Sequence, residues 1–425
     1  MSIDRILPLF LLSLFFSCDS KKISDKADYQ AYLAQNLDTS KIVKEVDFWT
    51  LKLNITPNQF PYLLKRASAY TALFNTTGKI DNLINAEKDL LVANNATDYK
   101  NTSYLRALAY NYLSQHKFKK ALELLKKAEN LGEKLENTQK MLFDVNLELG
   151  NTIEAQKYLS EFKDFSDFDY LIRLAKWEDH NGNLDGAINY MERATKISES
   201  GNTTSLKQWA YTNLADFYGH AGKIDLSYYY YLKALELNPN DAYAKKGIAW
   251  IVYSYEKKPD EALSILNQVT SYYNAPDYNL IKAEIAEYKN DIRLKNKAQK
   301  EYTDKVDNAL YGHMYNKYDV MLYAEELQEP EKAIEIAKQE VNHRPTAQSY
   351  DLLAWSYFKA GNIDKAIEII DAYVTGKTEE PEVLYHIAEI YKAKGRTKEV
   401  ADLKEGLLAS VYELGPLMET KILNL

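Results

Sequence analysis

The chain repeats itself, and the repeat decides what it can fold into. In the stretch YTNLADFYGHAGKIDLSYYYYLKALELNP, the residues Tyr211, Leu214, Ala215, Tyr218, Gly222, Ser227, Tyr231, Ala234 and Pro239 form an ordered series of large, small and turn-forming positions. The series returns in YDLLAWSYFKAGNIDKAIEII as Tyr350, Leu353, Ala354, Tyr357, Gly361, Ala366 and Ile370, and again 34 residues later as Leu384, Ile387, Ala388, Tyr391 and Gly395. Earlier copies carry Leu105, Leu108, Ala109, Tyr112 and Ala121, then Ala175, Gly182 and Ala187, then Trp250, Tyr253 and Ala262. Only 15 Gly and 10 Pro interrupt 425 residues. So few breakers point to an all-helical chain.

This spacing resembles the tetratricopeptide repeat (TPR). The resemblance runs over about residues 60 to 412 and implies an all-α solenoid of nine or ten helix pairs. It implies that Ala109, Ala215, Ala354 and Ala388 in first helices, and Ala121, Ala187, Ala262 and Ala366 in second helices, stand where backbones approach most closely. A lone pair cannot bury its apolar face, so neighbours must stack into one continuous curved core. Tyr228 to Tyr231, consecutive on a helix, lie about 100° apart and cannot share a face. They read as packing plus outer surface, the alternative being an aromatic binding platform.

At the N-terminus Arg5 precedes the apolar run ILPLFLLSLFF, which is too short to span a bilayer and has the length of a signal-peptide core. Ser17-Cys18 resembles the end of a bacterial lipobox, although Leu14, Phe15 and Phe16 depart from its usual spacing. The resemblance implies cleavage before Cys18 and a diacylglyceryl anchor on its thiol. Cys18 is the only cysteine, so no disulfide framework exists. The expected organisation is a signal peptide over 1–17, a polar tether over 18–45, the solenoid over 46–412 and a C-terminal tail or cap over 413–425. The expected location is the bacterial cell envelope, lipid-anchored, at the outer membrane.

A formal net charge of -8 argues against nucleic acid, which needs clustered cations. Catalytic signatures are missing: no G-x-S-x-G, no P-loop, no dinucleotide fingerprint and no H-E-x-x-H. Asp179, Asn181 and Asn183 alternate like a calcium loop, but Leu184 and Tyr190 stand where Gly and Glu are required. Neither an enzyme, a metal nor a cofactor is expected.

The TPR resemblance implies a scaffold or adaptor that binds an envelope protein or extended peptide in its concave groove. Family positions place Trp355, Phe358 and Tyr385 together on that side, ringed by Asp351, Glu382 and Glu389, with Tyr315 and Tyr318 extending the patch. The alternative is that these aromatics pack between adjacent first helices. Two other functions remain open: a SusD-like carbohydrate-binding lipoprotein, favoured by the many aromatics, and an enzyme subunit whose chemistry hides in the degenerate region 277–313.

Overall fold

The computed structural model describes residues 22–425, and all regular structure among them is helical. Helices α1 (Lys26–Leu33) and α2 (Ser40–Ile55) precede ten antiparallel pairs. The first five are α3 (Phe60–Thr77) with α4 (Ile80–Ala96), α5 (Thr102–Ser114) with α6 (Phe118–Leu131), α7 (Leu135–Glu148) with α8 (Thr152–Glu161), α9 (Phe168–His180) with α10 (Leu184–Ser200), and α11 (Thr204–His220) with α12 (Ile224–Leu237). The next five are α13 (Ala242–Trp250) with α14 (Pro259–Thr270), α15 (Tyr278–Tyr288) with α16 (Ile292–Val306), α17 (Asn316–Met321) with α18 (Pro330–His343), α19 (Ala347–Lys359) with α20 (Ile363–Ile369), and α21 (Pro381–Ala393) with α22 (Thr397–Ala409). Short helices α23 (Val411–Leu414) and α24 (Pro416–Leu423) end the chain. Three helices finish in a π-helical turn: α13 at Ile251–Tyr255, α17 at Leu322–Glu326 and α20 at Ile370–Val374.

All eight alanines singled out by the repeat spacing are fully buried at 0 % exposure. With only a methyl group there, neighbouring backbones come close enough for the larger residues three or four places away to interlock. Ala366→Leu is therefore expected to overpack the α19–α20 crossing and cost about 1–3 kcal/mol, read as an earlier urea transition. An unchanged transition would place Ala366 away from a crossing. Helix starts follow local chemistry too: the Asp167 carboxylate accepts from the Asp169 and Tyr170 amides at the head of α9. Gly182 takes φ 77° in the tight turn after α9, a conformation open to glycine at no steric cost, and the calcium-like stretch is simply this turn.

The solenoid winds back onto itself. Arg344 pairs with Glu148 at 3.3 Å across 196 residues of sequence, a little under six 34-residue units. The Asn274 amide donates to the Thr77 carbonyl at 2.8 Å, and Lys119 reaches the Asn342 carbonyl. Successive superhelical turns thus touch along their edges, and the interior between first helices is narrow.

The tyrosine run divides as its helical spacing requires. Tyr231 is buried with its hydroxyl on Asp216 at 2.5 Å, Tyr228 is buried against α1, Tyr230 stacks on Tyr218 and Tyr229 faces solvent. No shared platform forms.

The two ends are more ordered than a tether and a tail. Residues 18–21, with Cys18 and the signal peptide, lie outside the described residues; within the tether expected over 18–45, residues 22–33 dock onto the solenoid and a mostly exposed link leads to α2. The Glu256 carboxylate accepts from the amides of Ile23 (2.8 Å) and Ser24 (2.5 Å) and from Ser24 Oγ (3.0 Å). Tyr29, 1 % exposed, sends its hydroxyl to Glu261, and Tyr228 Oη holds Asp25 and Asp28. Tyr29, Tyr32 and Leu33 share one helical face, a periodicity that polar composition obscured. At the other end, where a tail or cap over 413–425 is expected, the chain forms the short helices α23 and α24, with Ile422 buried in the core.

Candidate partner-binding surface

The structure brings Trp355, Phe358, Tyr385, Asp351 and Glu389 into one cluster on α19 and α21. It is not the open aromatic ring that the groove positions imply. Trp355 is 1 % exposed: its ring stacks on His386 at 4.0 Å and on Phe358 at 5.2 Å, and its Nε1 donates to Glu325 at 2.9 Å. Tyr385 is buried edge-on to Trp355, its hydroxyl reaching Glu389 at 3.3 Å. Asp351, also buried, meets His386 Nδ1 at 2.8 Å, while its second oxygen has no partner. Burial pushes the Asp351 carboxyl up. Burial also opposes charge on His386, yet the adjacent Asp351 carboxylate holds the imidazole above the usual histidine range. The aromatics are sequestered because first helices of adjacent repeats pack directly here, with His386 filling the slot 35 residues after Asp351. Sequence reading missed His386; its signal is that offset of one repeat plus one residue. Phe358, Glu389 and Glu382 remain half-buried and Lys359 exposed, Glu382 pairing with Lys317 at 2.5 Å.

The accessible inner wall lies instead on first helices α9 to α17 and the start of α21. Tyr243 is 44 % exposed and Tyr318 39 %. Tyr243 Oη donates to Asp216 at 2.7 Å, and Lys246 lies over the rings of Tyr243 and Tyr278. Tyr315 is half-buried between Tyr311 and Tyr318. Carboxylates crowd this interior: Asp179, Asp216, Asp277 and Glu380 are all pushed up by burial. Burial pushes Glu284 up to about 7. Charges from α9, α11, α17 and α23 converge on Glu380, which shows how narrow the interior is.

The C-terminal segment enters the same interior. Trp250 Nε1 (3.0 Å) and Ser254 Oγ (2.6 Å) donate to the Tyr412 carbonyl, and His220 Nδ1 meets Glu413 at 3.0 Å. Burial opposes charge on His220, but Glu413, then Asp216 and Asp179, lift it to about 9; Glu380 also lies nearby. A histidine raised from 6.5 contributes its full attraction below about pH 6.5 and loses it as pH rises through about 9. Its ring is nearly half open to water, so the effect falls on this segment rather than on global stability. Amide exchange at Tyr412 to Leu414, corrected for intrinsic rates, is expected to quicken relative to α21 between pH 6.5 and 9. A constant ratio would mean that the pair does not hold the segment.

Among the described residues no three His, Cys, Asp or Glu side chains converge as metal ligands, and no helix is long and apolar enough to cross a membrane.

A tetratricopeptide repeat family model matches residues 210–241, most of α11 with α12 and the turn after it, and residues 347–375, α19 and α20 with its π-helical end. No curated protein matches the chain. Yeast Tom70 aligns over 87 % of this chain and 88 % of its own, at 18 % identity and TM-score 0.45. A tetratricopeptide repeat protein from Parabacteroides merdae aligns over 58 % and 93 %, at 15 % identity and TM-score 0.39. The human IFIT1 dimer aligns over 76 % and 80 %, at 19 % identity and TM-score 0.39.

Proposed function

We propose that this protein is a non-catalytic scaffold, anchored by lipid on Cys18 in a bacterial envelope at the outer membrane, that binds an envelope protein or extended peptide along its inner wall. Tetratricopeptide repeats suit this role because stacked helix pairs give a long, stiff concave surface. The observation that carries the reading is the inner wall itself: open tyrosines Tyr243 and Tyr318 stand beside the carboxylates of Asp216 and Asp277, whose charged forms burial disfavours. Such a wall favours a segment that brings apolar and basic side chains, since aromatic anchors supply binding energy and charge sets specificity.

The test is photo-crosslinking in the native cell with the crosslinker at Tyr243, Tyr318 or, on the outer wall, Tyr229. Partner adducts are expected from the first two positions. Adducts from Tyr229 alone would overturn the inner-wall reading. For the anchor, Cys18→Ser is expected to abolish palmitate labelling, and equal labelling of both proteins would exclude it.

A further inference from the structure

A scaffold whose groove is open should bind at once; this one has part of its groove filled. After α22 the chain turns inward and lays α23 on α11 and the π-helical end of α13. Three features of the segment are read separately. Its main chain is read at the Tyr412 carbonyl by Trp250 and Ser254. Its aromatic ring lies on Gly219, near Ser227, whose fully buried Oγ has no hydrogen-bond partner. Its acid is read by His220. Gly415, at φ 90°, then leaves past Glu284 and Trp250, where a Cβ would stand 2.4 Å from the carboxylate oxygen.

Main chain, ring and acid are the features by which a groove recognises a peptide. None of the four residues of α23 is fully buried: Val411, Tyr412 and Leu414 lie half-buried against the core, while the main chain at Tyr412 and the acid of Glu413 are held by direct polar contacts with the wall. Each such hydrogen bond replaces one to water and contributes little net, so a segment offering the same groups can take its place.

We propose that the inner face of α11 and α13 is a peptide site for an aromatic residue followed by a carboxylate, and that Ser410–Gly415 occupies it in the free protein. A partner segment with the same pair competes for the site and releases the strap. This rests on the scaffold reading and adds to it the recognised chemistry and a built-in competitor.

The experiment uses the full chain carrying Tyr412→Ala and Glu413→Ala together, and a fluorescein-labelled peptide SVYELGP, the sequence of residues 410–416. Fluorescence anisotropy is expected to show at least ten-fold tighter binding to the double variant than to the unaltered protein. His220→Ala added to the variant, or a SVAALGP probe, is expected to remove that binding. A folded variant that fails to bind the probe, or equal binding by both proteins, overturns the proposal. So does a dimer of the unaltered protein, by light scattering, that the double variant abolishes, because the site would then serve a second copy. Should the variant not fold, amide exchange of the unaltered protein decides: a displaceable strap exchanges well before α21 and α22, and exchange together with them overturns it. Partner adducts at Tyr243 or Tyr318 without probe binding would leave the scaffold standing and remove only the strap.

Discussion

Trp355→Ala is expected to destabilise the C-terminal repeats by about 3–5 kcal/mol, the cost of emptying a large buried aromatic site. The indole is 1 % exposed, stacked on two rings and bonded through Nε1 to Glu325. Its removal opens a cavity beside the buried Asp351–His386 pair and admits water to it. Because solenoid stability is passed between neighbours, the loss should appear first as faster amide exchange in α19 to α22, with α5 to α8 little changed. A variant of wild-type stability that had lost partner binding would reverse the conclusion and return Trp355 to the open groove.

Gly247→Ala is expected to cost about 3 kcal/mol, the upper end for overpacking, although alanine is the better helix former by about 1 kcal/mol. A Cβ on Gly247 would lie 2.2, 2.5 and 2.6 Å from three ring atoms of Tyr231. That ring cannot swing aside without giving up its hydrogen bond to Asp216 in the centre of the α11–α13 wall. The matched control is Gly406→Ala in α22, where nothing lies within 4 Å and the same change should stabilise by about 0.5–1 kcal/mol. Urea unfolding of both variants checks the pair. Equal effects would show that Tyr231 is not clamped onto Gly247.

The fold was legible because its signal is periodic. One Ala366 says little, but a small residue at the same offset from Tyr and Leu in copy after copy specifies a helix crossing each time, and the degenerate region 277–313 duly folds as α15 and α16, followed by a short turn. The site was less legible, for a reason visible at Trp355. Repeat positions say which side of a helix a residue occupies, not how far the neighbouring first helix leaves that side open. Between α19 and α21 the gap is closed by His386, a residue no motif marks, whereas at Tyr243 and Tyr318 the wall stays open. Nor could spacing within a repeat show Glu256 gripping Ser24, or His220 gripping Glu413. Those contacts join residues about 190 to 230 places apart, and depend on how tightly the superhelix winds.

The grip of Glu256 on the N-terminal segment fixes where a mechanical load would enter the molecule. Ile23 is held at the middle of the solenoid, not at its first repeat. Between Cys18 and Ile23 the chain can extend no further than about 18 Å. A bilayer holding a lipid on Cys18 would therefore lie close against the outer helices α12 and α14, and any pull from a bound partner would pass through Glu256 and Glu261 before reaching the anchor. Because Arg344 with Glu148, and Lys119 with the Asn342 carbonyl, tie the repeats before this point to those after it, a pull on either side would be shared by both.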